Sequence, residues 1–158
     1  IPHGRDRRPS PEELDKLQAD KTIGCHVTLA VETGMRRSEI ANIDLEHYDP
    51  DRRLLKIPVT KNGQARVIPL SNAALGVLSP VIRRKIRPDS ITQAFDRACK
   101  RNGIEGLRFH DLRHEATSRF FEKGLNPVEV ASITGHKDTR MLMRYTHINP
   151  TTLLSRIS

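Results

Sequence analysis

The chain has 158 residues, 36% of them hydrophobic and 29% charged, with a net charge of +8 from 27 Lys and Arg against 19 Asp and Glu. That is the size of one domain with a single core, and no run approaches the ~20 apolar residues of a membrane helix. A pI near 10.0 points to a polyanionic partner, because Lys and Arg that neutralise phosphates release condensed counterions. Aromatic residues at 4% and the lack of Trp argue against a protein that stacks single-stranded bases and for one that grips duplex backbone. Cys25 and Cys99 lie far apart without C-x-x-C spacing, so they read as reduced thiols of a cytosolic protein.

In chain order, the arginine-rich residues 1–9 (IPHGRDRRP) read as a basic linker, and a chain that begins with Ile1 reads as part of a longer one. Ser10-Pro-Glu-Glu13 is a capping box with proline at the first helical position, and it opens a helix to about Ala19. TIGCHVTLAVET predicts a largely apolar second helix stopped by Gly34, and RRSEIANI a short third one. Between Arg53 and Leu70 the apolar period falls to two, around an Asn62-Gly63 turn signal. This predicts a β-hairpin whose Pro58 and Pro69 suit edge strands. Ser90 is read as the cap of a helix ending at Gly103. Phe109, Leu112, Ala116 and Phe120 form the core stripe of another, which ends near Gly124. Asn126-Pro127 and Asp138 start two more, the latter ended by Pro150. The fold class is mainly α with a small antiparallel β-hairpin (α+β).

The stretch His110-Asp-Leu-Arg-His114 resembles the H-E-x-x-H of zinc peptidases. At about 100° per residue, His114 lies ~40° from His110 and Arg113 about 60° on its other side. A metal held by the two histidines, with His136 as a third ligand, would therefore face a guanidinium. The alternative is that His110 and Arg113 converge as donors on one anion, since the Arg fork matches two phosphate oxygens. Arg36 after the helix-ending Gly34, Glu39 one turn on, Lys61 at the hairpin turn, and His136 with Tyr145 nine residues later decide for the anion.

Those positions, in that order, resemble the tyrosine recombinase (phage integrase) family in its C-terminal catalytic domain, over about residues 10–148. The T-G-x-R-x-S-E pattern falls on Arg36 and Glu39, the hairpin lysine on Lys61, H-x-x-R on His110 and Arg113, G-H on His136, and the nucleophile on Tyr145 in R-Y-T-H. The text around the second and third boxes is similar to shufflon-type recombinases. The resemblance implies site-specific recombination of double-stranded DNA by way of a 3′-phosphotyrosyl bond, without a metal or other cofactor. Tyr145 would attack, Arg36, Arg113 and His136 would hold the phosphate, His110 would act as base and Lys61 as acid. Glu39 would orient its neighbours, and His114 would pack beside the site or support its catalytic groups from behind.

It also implies a catalytic domain over residues 10–158 that lacks the family's N-terminal core-binding domain, a tetramer on DNA, and work in the cytoplasm of a bacterium. Rival readings are a type IB topoisomerase, a DNA-binding module without catalysis, and a zinc hydrolase.

Overall fold

Ser10 starts the first helix, α1 (Pro11–Gln18). Its hydroxyl accepts from the Glu13 N–H at 3.1 Å while the Glu13 carboxylate accepts from the Ser10 N–H at 2.8 Å, the reciprocal capping box the sequence predicts. The structure is a computed structural model that describes residues 7–58 and 65–158. Just before the cap, Arg7 pairs with Glu13, and Arg8 pairs with Glu115 and Glu122, tying this segment to a distant part of the chain.

The helix α2 (Gly24–Thr33) is the hub. Val27, Leu29, Ala30 and Val31 on it are buried, and it packs against α1, α4 (Asn72–Arg84) and α6 (Asp111–Glu122). A fully buried Leu or Val contributes about 1.5–3 kcal/mol, so a helix apolar on most faces belongs at the centre. It also buries His26, whose Nδ1 has no hydrogen-bond partner among the described residues. Burial, then the charge of Arg84, holds that ring down to about 4 and therefore neutral.

Gly34 ends α2 with φ 73°, a left-handed turn that a side chain would strain. The short helix α3 (Arg37–Asn42) follows, and then the sheet: β1 (Tyr48–Asp49), β2 (Leu54–Ile57) and β3 (Arg66–Pro69), antiparallel in that order. Leu55 stands opposite Ile68 and Ile57 opposite Arg66. Leu55, Ile57 and Ile68 are fully buried while Val67 faces solvent, the period of two that marks a half-buried strand. The sequence predicts the β2–β3 pair, and its Asn62-Gly63 turn lies outside the described residues. Pairing with β1, which the alternation did not flag, makes β2 a central strand rather than an edge. Pro58 is tolerated because it falls one residue past the end of β2, and Pro69 because β3 is an outer strand.

The next helix, α4, is absent from the sequence reading because Gly76 and Pro80 stand inside it as apparent breakers. Ser71 caps it, accepting from the Ala74 N–H at 3.2 Å, and Ala74, Leu78 and Val81 bury a continuous stripe against α2. That burial outweighs the local cost of proline. In α5 (Pro88–Arg101) the helix starts at Pro88 rather than after Ser90, since proline at the first position already has the right φ and lacks only an N–H that would be unpaired there.

Two C-terminal elements complete the fold. Asn126 caps α7 (Pro127–Thr134), with Gly135 at φ 81° ending it. Asp138 starts a 3-10 helix, Thr139–Tyr145. Pro150 does not end that element but opens a separate one, α8 (Pro150–Ile157), with the Asn149 side chain accepting from Thr151 N–H at 3.0 Å. Overall the chain is mostly helical with one small antiparallel sheet, as the sequence predicts.

Candidate active site

The site is assembled where two helices end side by side. Gly34 and Gly135 close α2 and α7, and a Cβ built on Gly34 would sit 3.1 Å from the Thr134 methyl. Both helices present their last carbonyls, which carry the partial negative charge of the helix C-terminus, to the side chain of Arg113 on α6. Its Nη1 donates to Gly34 O at 2.6 Å and to Thr134 O at 2.5 Å. Arg113 is only 4% exposed, and these two bonds are what make a buried guanidinium tolerable. Its other terminal nitrogen, Nη2, faces His136 at 3.4 Å from Nδ1. The His136 ring is itself held by Thr134 Oγ1, 2.5 Å from Nδ1.

Arg36 stands at the N-terminus of α3, half-buried. Its backbone N–H donates to Glu39 Oε1 at 2.8 Å and its Nη1 reaches Glu39 Oε2 at 3.5 Å. Glu39 is fully buried and is gripped by both ends of the Arg66 fork, Nη1 at 2.6 Å and Nη2 at 3.0 Å. Arg66 Nε also donates to Ile133 O at 2.7 Å. One side chain thus joins β3, the acid beside Arg36, and the end of α7. The guanidinium lies against Gly135, where a Cβ would come within 2.7 Å of Nη1. Burial alone would raise the Glu39 carboxyl, but the Arg66 fork and the Arg36 N–H outweigh it and hold the group below the ordinary carboxylate value.

Tyr145 closes the site from the end of the 3-10 helix. Its ring stacks on Phe121 with centroids 6.0 Å apart. Its hydroxyl lies 2.6 Å from His114 Nδ1 and 2.7 Å from Arg144 Nη2. His110, at the start of α6, meets His114 edge to face at 5.0 Å between centroids. Arg36, His110, Arg113, His114, His136 and Tyr145 thereby line one open cleft of about 610 Å³. A neighbouring hollow of about 490 Å³ shares Arg36, His110 and Arg113 and extends past Arg37 and Arg108.

The electrostatics of the cleft are one-sided. Burial, then Arg36, pushes Arg113 down to about 9, which still leaves it charged at neutral pH. Burial, then Arg113 and Arg36, takes His136 to about 3 and lowers His110. His114 falls to about 4 through burial, His110 and Arg144. Burial and positive neighbours lower all four groups, and an anion in the cleft would raise them together.

Of the residues singled out from sequence, Arg36, His110, Arg113, His114, His136 and Tyr145 meet around the cleft and Glu39 lies directly behind it. Lys61 lies outside the described residues. The His110 and His114 rings cross edge to face, and His114 Nδ1 is engaged by Tyr145. Among the described residues no three His, Cys, Asp or Glu side chains converge in a metal-holding group. His114, expected to pack beside the site or to support it, touches the phenol directly. Arg66, Thr134 and Arg144 were not singled out; for Arg144 the R-Y dipeptide was a usable signal.

A match to known proteins now decides the affiliation. Residues 12–152 fit the Phage integrase family. The chain belongs to that family. Among curated relatives of this family, the Shufflon-specific DNA recombinase of Escherichia coli is 41% identical over 169 residues, a match covering 99% of this chain and 44% of that protein. The Integrase of Salmonella phage P22 is 30% identical, covering 89% of this chain and 43% of that one. This chain therefore spans less than half the length of these two relatives. Among solved structures, the catalytic domain of bacteriophage HP1 integrase shares 26% identity at a TM-score of 0.69, over 91% of this chain and 86% of that one. The Tn1549 transposon integrase in complex with a circular intermediate DNA shares the fold at a TM-score of 0.77 and 17% identity, over 96% of this chain and 66% of that one. No helix among the described residues is long and apolar enough to cross a membrane.

Proposed function

We propose that this chain breaks and rejoins double-stranded DNA at specific sites through Tyr145, as the catalytic part of a site-specific recombinase. The observation that carries the reading is the Tyr145 hydroxyl lying in one cleft with the guanidiniums of Arg36 and Arg113, where positive charge is concentrated. The phenol oxygen attacks a backbone phosphorus, a phosphotyrosyl bond forms to the 3′ side, and the bond to the 5′-oxygen breaks. That oxygen takes a proton from Lys61. The 5′-hydroxyl of another strand then reverses the step, so the bond energy is kept and no nucleotide cofactor is required.

Charge on the non-bridging oxygens grows in the transition state, and fixed donors aimed there supply most of the acceleration in reactions of this kind. Arg113 is pre-placed for this: Nη1 is fixed by two carbonyls, which leaves Nη2 directed at the cleft beside His136. Arg36 brings the second fork, oriented by Glu39. The exposed Lys and Arg around the cleft bind backbone without reading sequence. A structural neighbour determined in complex with a circular intermediate DNA is in keeping with DNA as substrate. Assembly of several copies on one DNA, and work in the cytoplasm of a bacterium, belong to the same reading.

The test is a duplex nicked close to the cleavage point, so that the released 5′ end diffuses away and the cut state accumulates. In excess EDTA the protein is expected to form adduct at an unchanged rate, joined to the 3′-phosphate and leaving a free 5′-hydroxyl. A 5′-linked adduct, or cleavage that stops on chelation, contradicts the reading.

A further inference from the structure

We propose that His114, rather than His110, takes the proton from Tyr145 when the phenol attacks. The inference rests on the phosphotyrosyl reading above and assigns one of its steps. The imidazole in hydrogen-bond contact with the phenol is that of His114, with Nδ1 2.6 Å from the hydroxyl oxygen. His110 instead meets the His114 ring edge to face, with centroids 5.0 Å apart.

Which tautomer His114 adopts follows from its third neighbour. Arg144 Nη2 lies 2.7 Å from the same Nδ1. A guanidinium has donors and no acceptor, so an N–H on Nδ1 would meet it donor to donor. Nδ1 therefore carries the lone pair and Nε2 the hydrogen. The phenol O–H donates to that lone pair, and the phenol oxygen accepts from Arg144 at 2.7 Å. The hydroxyl thus has a base on its proton and a cation beside its oxygen, the arrangement that deprotonation requires.

The step balances. The O–H pair stays on oxygen and becomes the new O–P bond, while the proton moves to His114 Nδ1. The P–O5′ pair leaves with the 5′-oxygen, which is protonated by Lys61 or water. As the proton arrives on Nδ1, Arg144, an exposed side chain, leaves it for the phosphate; on rejoining, the imidazolium returns its proton to the departing phenol oxygen.

The groups facing His114 are His110, Asp111 and Arg113 from α6, Arg144 and Tyr145 from the 3-10 helix, and His136 beyond α7. Only Asp111 among them is acidic. Burial, then His110 and Arg144, hold the ring at about 4 against the opposing charge of Asp111, so its lone pair is free across the physiological range but weakly basic in the empty cleft. A phosphate entering beside Arg36 and Arg113 adds negative charge and strengthens this base when substrate is present.

The experiment uses a strand in which sulfur replaces the bridging 5′-oxygen. A thiolate leaves without an acid, so the cleavage rate reports the attack alone. Unaltered protein is expected to give a nearly flat rate from about pH 6 to 9, above the His114 titration. His114→Asn keeps an oxygen acceptor near the Nδ1 position but no base. Its rate should fall by about 10²–10⁴-fold at neutral pH and climb about tenfold per pH unit, because only the phenolate fraction then reacts. His114→Ala should regain rate with added imidazole, whereas His110→Asn should keep the flat profile.

A flat profile in His114→Asn, absent imidazole rescue, or the tenfold slope appearing in His110→Asn overturns the inference. In each of those cases Tyr145→Phe still fails to form adduct, so the phosphotyrosyl reading survives. Adduct in Tyr145→Phe sinks that reading instead.

Discussion

Arg113→Ala is expected to lower strand cleavage by about 10²–10³-fold or more, the loss that follows removal of one preorganised transition-state donor, while duplex binding weakens far less. The side chain does two things at once. Nη1 holds the last carbonyls of α2 and α7 together, and Nη2 faces the cleft at His136. Arg113→Lys is expected to fail almost as badly, because one ammonium cannot reach both carbonyls and still point at a phosphate. The two orphaned carbonyls also cost stability, about 1–3 kcal/mol each. Single-turnover cleavage beside a filter-binding titration separates the two effects; equal losses in binding and in cleavage would mean that Arg113 only holds substrate.

Glu39→Ala is expected to destabilise the fold by about 3–5 kcal/mol, the cost of leaving a buried partner charge unpaired. For a chain of this size that is a fall in Tm on the order of 10 °C. Glu39 is fully buried, bound at both oxygens by Arg66 and by the Arg36 N–H. Removing it strands the Arg66 guanidinium between β3 and the end of α7. Cleavage should fall as well, since Arg36 loses the group that orients it. Thermal melts of the variant and of Glu39→Ala/Arg66→Met test this: the double variant should recover part of the lost stability, and an unchanged Tm in the single variant contradicts the account.

The same network shows where sequence reasoning reaches and where it stops. Arg36 with Glu39, His110 with Arg113, and His136 with Tyr145 were legible because each pair lies within one short stretch whose spacing carries chemistry. Arg66 was not, because its partners are remote along the chain: Glu39 is 27 residues away and Ile133 67, and nothing local marks an arginine in a strand as buried. His114 was only partly legible for a related reason. Four-residue spacing put both histidines on one side of a helix, which suggested a metal pair and then a packing or supporting residue. Its contact with Tyr145, 31 residues later, depends on how the 3-10 helix returns to α6.

The fold shows the same split. The capping box at Ser10, the left-handed stop at Gly34, and the alternation of Leu55, Ile57 and Ile68 are local signals that tertiary packing did not overrule. Helix α4 was hidden because burial of Ala74, Leu78 and Val81 overrides the breakers Gly76 and Pro80. Strand β1 was hidden because its two residues are too few to show a period. Pro150 was read as a stop when it was a start, since proline satisfies the first turn of a helix as well as it ends the one before.

The central claim is that Tyr145 becomes covalently joined to DNA. The chain has two tyrosines, and the other, Tyr48, lies in β1 and does not line the cleft. The direct measurement is a denaturing gel of protein incubated with nicked, end-labelled duplex, followed by mapping of the modified peptide. The account predicts a slow-migrating adduct on the peptide containing Tyr145. Tyr145→Phe should give none, while binding the same duplex within about fivefold, the worth of one hydrogen bond. An adduct that persists in Tyr145→Phe, or that maps to Tyr48, would contradict it.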